Sequence, residues 1–314
     1  MNCTPKDLLQ VFTSYTDILL TAHVSPDGDA LGSLSALAGW LRSLGKKVIV
    51  VIDDRIEEKF FAYDGCRGIV RPEAVKADDN RLSVILDATD MQRIGKVAAL
   101  ITGKVMNIDH HVSNGHFADW EYVRTDCAAT GEILTELFRI WEAAITPAMA
   151  NALYMAIATD CGFFCFANTT GHTLQMASYL VDAGAEPNRI SEGLEETTMN
   201  KLKALAQVLQ EIELFAGGRV AGISFTQEVQ QYTGEHTGGY IDYARRLKGV
   251  DVAFTVKWQG PETTRVSLRS KEVDVNVIAG AFGGGGHVRA AGCTLALPLE
   301  EAKQVLVKEI EKNL

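Results

Sequence analysis

Four short apolar runs in the first half of the chain constrain its fold more than any other feature, because three of them break off at ionisable residues. Ile18-Leu19-Leu20 leads to His23, Ser83-Val84-Ile85-Leu86 stops at Asp87, and Lys104-Val105-Met106-Asn107-Ile108 stops at Asp109-His110-His111. Lys47-Val48-Ile49-Val50-Val51-Ile52 is the fourth. Runs without polar alternation mark strands buried on both faces. Between them the spacing predicts helices. One opens at Thr4-Pro5-Lys6-Asp7, and another covers 30–44, where Leu31, Leu34, Leu37, Ala38, Leu41 and Leu44 recur before Gly45. Strands alternating with helices predict an α/β fold with a mostly parallel sheet. Ligands of such sheets bind beyond the carboxyl ends of the strands, and His23, Asp87 and Asp109-His110-His111 all fall there.

The turn after the first strand carries His23, Asp27 and Asp29 within seven positions, close enough to face one point. Their oxygen and nitrogen donors favour Mn²⁺, Mg²⁺, Fe²⁺ or Zn²⁺ over thiophilic metals. Gly28 would let the backbone turn sharply between the two carboxylates. The same residues also read as a polar loop capping a helix, with Asp29 or Ser25 as N-cap. The stretch alone leaves both readings open.

Downstream, a helix is expected over 130–144. Pro147 then opens a small-residue helix over 148–158 that delivers Thr159-Asp160-Cys161-Gly162, and a third helix covers 170–183. Residues 186–198 read as a connector with a helical turn, after which the pattern restarts. A helix is expected over 199–215, a strand over 220–225 and a helix near 240–247. Paired strands at 252–258 and 264–268 flank a turn at Gln259-Gly260-Pro261-Glu262. The glycine run Gly283-Gly284-Gly285-Gly286 precedes His287, a strand at 293–297 and a last helix after Pro298. The expected organisation is an N-terminal metal-binding domain (1–185), a connector (186–198) and a smaller C-terminal α/β domain (199–314) that holds the substrate. A chain of 314 residues accommodates both.

A formal net charge of −10 argues against long duplex nucleic acid as a partner. It leaves room for small anionic substrates, since bound divalent cations invert the charge locally. The six cysteines are scattered, and the lone Cys161-x₃-Cys165 pair is weak as a zinc motif. Reduced thiols, no secretory signal and no membrane-spanning apolar run lead us to expect a cytoplasmic protein that uses no membrane. The apolar helix at 30–44 would serve a homodimer as readily as a core. Trp40 and Trp141 are expected in the core, and His116, His172 and His236 in solvent. Tyr240 and Tyr243, near Gly238-Gly239, are candidates for stacking on a base.

With these residues assembled, the chain resembles the DHH family of phosphoesterases from about residue 15 to its end. His23-x₃-Asp27-x-Asp29 resembles the family's first motif, Asp87 its second, Asp109-His110-His111 the third and Asp160 the fourth. The later part resembles the associated DHHA1 domain, with Arg269-Ser270 and Gly284-Gly285-Gly286-His287 in order. Asn168-Thr169-Thr170 and the stretch from Asp274-Val275-Asn276 to Ala291-Gly292 are most similar to the subgroup of nano-RNases and 3′-phosphoadenosine-5′-phosphate phosphatases. Cys161 departs from the usual Thr there. Phe163-Phe164 after Gly162 depart from a commoner polar residue, which bears on substrate preference more than on catalysis.

The resemblance implies two divalent cations, Mn²⁺ in the first instance and Mg²⁺ as the alternative, with the site in the cleft between the domains. His23 and Asp27 would hold one ion, Asp29, His110 and Asp160 the other, and Asp87 would bridge them. Asp109 would orient a histidine, and His111 would bind the scissile phosphate or protonate the leaving oxygen. Arg269, Ser270, the backbone of Gly284, Gly285 and Gly286, and His287 would grip the substrate, with Arg289 a weaker candidate. Expected substrates are short RNA oligonucleotides, linear dinucleotides and 3′-phosphoadenosine-5′-phosphate. The rivals are a family II-type inorganic pyrophosphatase and a nucleotide-binding regulator without chemistry.

Overall fold

The computed structural model describes residues 3–62, 66, 68–233, 237 and 239–314. They form two compact units, Met1–Glu196 and Thr197–Leu314.

The first unit is built on a six-stranded, wholly parallel sheet. Its strands are β1 (Asp17–Thr21), β2 (Lys47–Val51), β3 (Ile69–Val70), β4 (Leu82–Leu86), β5 (Val105–Asp109) and β6 (Trp120–Val123), in the order β3-β2-β1-β4-β5-β6. Burial on both faces follows from the unbroken apolar runs. Ile18 and Leu20 enter one core with α1 (Pro5–Ser14), α2 (Gly28–Ser43), α3 (Thr130–Ile140), α4 (Pro147–Asp160) and α5 (Gly171–Asp182), while Leu19 meets Ile85, Ile94 and Val97 on the other face. The chain winds outward from β1 in one direction and then returns to add β4, β5 and β6 on the other side. The switch point of the topology therefore lies between β1 and β4, where crevices form at the carboxyl ends.

Local chemistry explains the helix starts. Thr4 Oγ1 accepts the Asp7 amide while Asp7 Oδ2 accepts the Thr4 amide, with Pro5 in the first turn. Trp40 and Trp141 stack at 5.0 Å inside the core, and the apolar positions of α2 are spent within this unit. Gly28 is needed for a different reason than the sequence suggests. It is the first residue of α2 with no left-handed backbone, and a Cβ there would lie 2.3 Å from Thr159 Oγ1. Gly32, where a Cβ would meet the Ala152 carbonyl at 2.2 Å, repeats the device one turn on. Absence of a side chain, rather than a sharp turn, brings α2 and α4 together. Residues 187–195, expected in a connector, form α6 (Pro187–Glu195), whose Ile190 packs with Leu31 and Met155 of this unit.

The second unit has a mixed sheet. After α7 (Met199–Gln210) come β7 (Ile212–Phe215), β8 (Val220–Phe225), α8 (Gln227–Thr233), α9 (Tyr240–Arg245), β9 (Val252–Gly260), β10 (Thr263–Ser270), α10 (Val275–Gly280), β11 (Gly285–His287), β12 (Ala290–Leu295) and α11 (Leu299–Lys312). The order is β11-β12-β10-β9-β8-β7, with only the β8–β9 pair parallel. The helix expected over 199–215 stops at Gln210. Ile212 and Leu214 fit a period of two as well as a helical one, and pairing of β7 along the edge of β8 decides for strand. The strand expected at 293–297 runs instead over 290–295. Among the described residues no helix is long and apolar enough to cross a membrane.

Candidate metal centre

The site is assembled at the carboxyl ends of β1, β4 and β5, adjacent strands at the switch point. His23 lies two residues beyond β1, Asp87 directly follows β4, and Asp109 ends β5 with His110 and His111 after it. Asp27 and Asp29 come from the start of α2, and Asp160 is the last residue of α4. Ligand atoms of His23, Asp27 and Asp87 lie within 4.8 Å of one another, and so do those of Asp29, His110 and Asp160. Asp87 stands between the groups. Its Oδ2 is 3.4 Å from His23 Nε2, and its Oδ1 is 3.4 Å from His110 Nε2. His110 Nε2 also lies 3.4 Å from Asp160 Oδ2 and 3.9 Å from Asp29 Oδ2.

Each carboxylate is held by contacts that sequence spacing does not show. Asp27, not Asp29 or Ser25, is the N-cap of α2. Its Oδ1 accepts the Ala30 amide at 3.0 Å, while Oδ2 faces His23 Nε2 at 3.8 Å. The carboxylate that caps α2 thus also stands among the candidate ligand atoms. Asp29 is fully buried and accepts the Thr130 and Gly131 amides at 2.7 and 2.8 Å and Ser33 Oγ at 3.1 Å. The donors are the first N–H groups of α3, the positive end of a helix. Asp87 adopts left-handed backbone (φ 54°), and Thr130 Oγ1 donates to its Oδ1 at 3.2 Å. Asn107 Nδ2 donates to the Ile85 and Ala88 carbonyls on either side of that turn. Sequence reasoning missed Asn107, Asn114, Thr130 and Gly131. The one available signal was a polar residue, Asn107, inside an apolar strand.

Asp109 is fully buried. Its Oδ1 accepts the His110 and His111 amides and lies 2.7 Å from His111 Nδ1, while Oδ2 accepts Asn114 Nδ2 at 2.7 Å. This contact holds the His111 ring through Nδ1.

The donor set fits divalent cations. Four aspartates converge, and among the described residues no Lys or Arg comes within ion-pair distance of any of them; only imidazoles do. All candidate ligand atoms are oxygen or nitrogen, the set that suits Mn²⁺ or Mg²⁺.

Without a cation, protons take its place. Burial disfavours the charged form of His23, but contacts with Asp27 and Asp87 outweigh this and raise its pKa to about 10. His110 is likewise raised to about 10, burial being overcome by Asp87, Asp29 and Asp160. Burial lifts Asp160 to about 6 and Asp29 well above the carboxylate range, the charges on nearby aspartates adding to both. Burial opposes ionisation of Asp87 too, but His110 and His23 hold it below the usual range. A cation must displace the imidazole protons, so its apparent affinity rises with pH up to about 10. Titration of Mn²⁺ at pH 7.5, in buffers of differing ionisation enthalpy, should show proton release; heats independent of the buffer would contradict this.

Of the histidines expected in solvent, His116 is exposed and His172 is half-buried, and each meets a buried glutamate. His172 Nδ1 lies 2.6 Å from Oε1 of the fully buried Glu132, whose Oε2 accepts the Ala128 amide and Thr173 Oγ1. Cys127 completes a possible ligand trio there. Burial and Glu132 push its thiol up to about 12, and both Glu132 oxygens are engaged. The cluster therefore braces the start of α3, which holds Asp29, against α5. His116 Nδ1 lies 3.2 Å from the buried Glu121. His236 and Gly238 fall outside the described residues, as does the side chain of His287.

In the second unit, Arg269 on β10 bonds its neighbour's carbonyl, Leu268 O, and no carboxylate among the described residues lies within 4 Å of it. Ser270 Oγ donates to Val273 O at 2.5 Å, so this hydroxyl shapes the turn after β10 instead of standing free for substrate. The glycine run is likewise no open anion nest. Gly283 and Gly284 donate to the carbonyls of Gly280 and Ala279, and the Gly286 amide donates to Asn276 Oδ1, while Gly285–His287 pair with β12. A Cβ at Gly284 would lie 2.2 Å from Gly292 O. Close strand packing requires that glycine. Tyr240 packs edge-on against Phe225, which leaves Tyr243 as the exposed member of its pair.

Comparison with known proteins agrees with this architecture. Residues 17–157 match the DHH family, N-terminal domain, and residues 222–314 match the DHHA1 domain. A Thermus thermophilus protein named bifunctional oligoribonuclease and PAP phosphatase NrnA is 29% identical over 95% of this chain and 90% of its own length. A Bacillus subtilis protein of the same name is 25% identical, covering 96% of each. Among solved structures, an exopolyphosphatase-related protein from Bacteroides fragilis shares the fold with a TM-score of 0.90 at 24% identity, over 98% of this chain and 95% of that one. Exonuclease RecJ bound to manganese superposes with a TM-score of 0.54 at 12% identity, over 99% of this chain and 95% of that one. The two matched domains, in the order in which the sequence motifs and the two sheets occur, establish that the chain belongs to the DHH family, with a DHH N-terminal domain followed by a DHHA1 domain.

Proposed function

We propose that the chain is a cytoplasmic, metal-dependent phosphoesterase. It hydrolyses very short oligoribonucleotides and linear dinucleotides to mononucleotides and removes the 3′-phosphate of 3′-phosphoadenosine-5′-phosphate. The observation that carries the reading is Asp87, which turns one oxygen to the His23/Asp27 group and the other to the Asp29/His110/Asp160 group. Such a shared carboxylate suits a pair of ions, with His23 and Asp27 holding one, Asp29, His110 and Asp160 the other, and Asp87 bridging. Two cations held there, Mn²⁺ or Mg²⁺, would supply a hydrolytic water at neutral pH and neutralise charge on the phosphoryl oxygens. Asp109 holds His111 through Nδ1, so that Nε2 binds the scissile phosphate or protonates the leaving oxygen. The relatives' names supply the substrate class.

In the second unit, Arg269 is the residue best suited to a substrate phosphate, since among the described residues no carboxylate competes for its guanidinium. Gly285, Gly286 and His287 form the edge strand β11, separated from the Arg269 strand by β12. The acidic surface disfavours long strands. Hydrolysis with Mn²⁺ should therefore fall steeply between a five-nucleotide and a twenty-five-nucleotide RNA, read by product analysis; equal rates would refute the short-substrate reading. Pyrophosphate, offered in the same assay, separates the pyrophosphatase alternative.

A further inference from the structure

Directly after Asp160 the backbone does something costly. Gly162, Phe163 and Phe164 take left-handed φ values of 58°, 52° and 64° in succession. Glycine tolerates this, but a Cβ crowds the backbone there, and bulky residues avoid it. Strain of this kind persists only where the surroundings enforce it, and it gathers at functional sites. Here the enforcing contacts are explicit. The Phe163 amide donates to Ala158 O at 2.6 Å, the Phe164 amide meets Cys161 Sγ at 3.3 Å, and the Phe166 amide donates to Cys161 O at 3.1 Å. Asn168 Nδ2 ties the loop to the carbonyls of Asp160 and Ala128. The Phe164 ring turns inward, 5.8 Å from Tyr154, and packs on the core.

The strained turn leaves two rings in solvent. Phe163 is 37% exposed and Phe166 53% exposed. A Cβ at Gly162 would come within 2.5 Å of the Phe166 ring, so the ring lies against the Gly162 backbone, two residues along the chain from Asp160. Trp40 and Trp141, by contrast, stack within the core.

We propose that Phe163 and Phe166 form a stacking platform for a nucleobase of the substrate. The assignment rests on the phosphoesterase reading above. Two exposed apolar rings on the strained turn that directly follows Asp160, a candidate ligand of the hydrolytic centre, suit a ligand that carries a flat π face next to its phosphate. Base–aromatic stacking tolerates any base, as expected of an enzyme for short RNA of mixed sequence.

The test compares wild type with Phe163→Ala, Phe166→Ala and Phe166→Tyr, using an adenine dinucleotide, the same dinucleotide with one base removed, and Mn²⁺ binding as a check on the fold. Each alanine variant should keep Mn²⁺ binding and raise KM for the intact dinucleotide by roughly tenfold, the fold-change that loss of one base–aromatic stack corresponds to. The effect should shrink on the abasic analogue, and Phe166→Tyr should recover most of the KM lost in Phe166→Ala. Alanine variants with wild-type KM would overturn the platform, and so would an equal loss on the abasic analogue. A change in sedimentation with unchanged KM would assign the rings to a protein contact and overturn it as well. If wild type hydrolyses neither the dinucleotide nor 3′-phosphoadenosine-5′-phosphate, the phosphoesterase reading fails and the platform falls with it. Failure of the platform alone leaves wild-type turnover intact.

Discussion

Asp87→Asn should lower kcat on a dinucleotide by about 10³-fold or more while leaving the protein folded, the scale seen when a preorganised charge-stabilising group is lost. Asn is the informative replacement because it tolerates the left-handed backbone that Asp87 adopts, whereas Ala would add strain. The amide keeps the shape but offers one carbonyl oxygen where the carboxylate turns one oxygen to His23 and the other to His110. It also removes the negative charge that balances those imidazoles. Circular dichroism should be unchanged, and Mn²⁺ binding should weaken together with turnover. A nucleotide-binding regulator would lose neither nucleotide binding nor its output in this variant. Retention of more than about a tenth of wild-type kcat would therefore exclude the shared-carboxylate mechanism, given the scale above.

Asp29→Ala should show the largest loss of stability. The carboxylate is fully buried and satisfies the Thr130 and Gly131 amides and the Ser33 hydroxyl. Its removal strands these donors away from water, at about 1–3 kcal/mol for each unsatisfied group. A total of about 3–5 kcal/mol, the lower part of the range for three stranded donors, corresponds to a Tm lower by roughly 10 °C for a unit of this size. The metal sharpens the test. Saturating Mn²⁺ at about a hundred times its Kd should stabilise wild type by about 2.7 kcal/mol, and Asp29→Ala should lose most of that gain. The sign with pH follows from the raised pKa of Asp29. Its proton is favoured in the metal-free fold, so wild type without metal should lose stability as pH rises through the folded pKa, and Mn²⁺ should restore it. A chelated protein as stable as the Mn²⁺ form at pH 8 would contradict the account.

Much of this was legible in the chain because it depends on local pattern. Unbroken apolar runs such as Ile18–Leu20 and Ser83–Leu86 require burial on both faces, and so a parallel sheet with its ligand rim at the carboxyl ends. Thr4, Pro5 and Asp7 specify their own cap. Where the pattern was locally ambiguous, neighbours decided it. Ile212–Phe215 became a strand because β8 presented an edge, and the glycine run became part of a strand because β12 lay beside it.

The candidate site divides along the same line. The sequence by itself determined which residue types stand at the strand ends, and hence that oxygen and nitrogen donors gather at one rim. It could not determine what holds them there. That Asp29 rests on the first amides of α3, about a hundred residues away along the chain, that Glu132 and His172 brace that helix, and that Gly28 is a glycine for the sake of Thr159 were decided only in three dimensions. Hydrogen bonds and close packing are formed between atoms brought together by folding, and their partners leave no fixed spacing in a linear sequence.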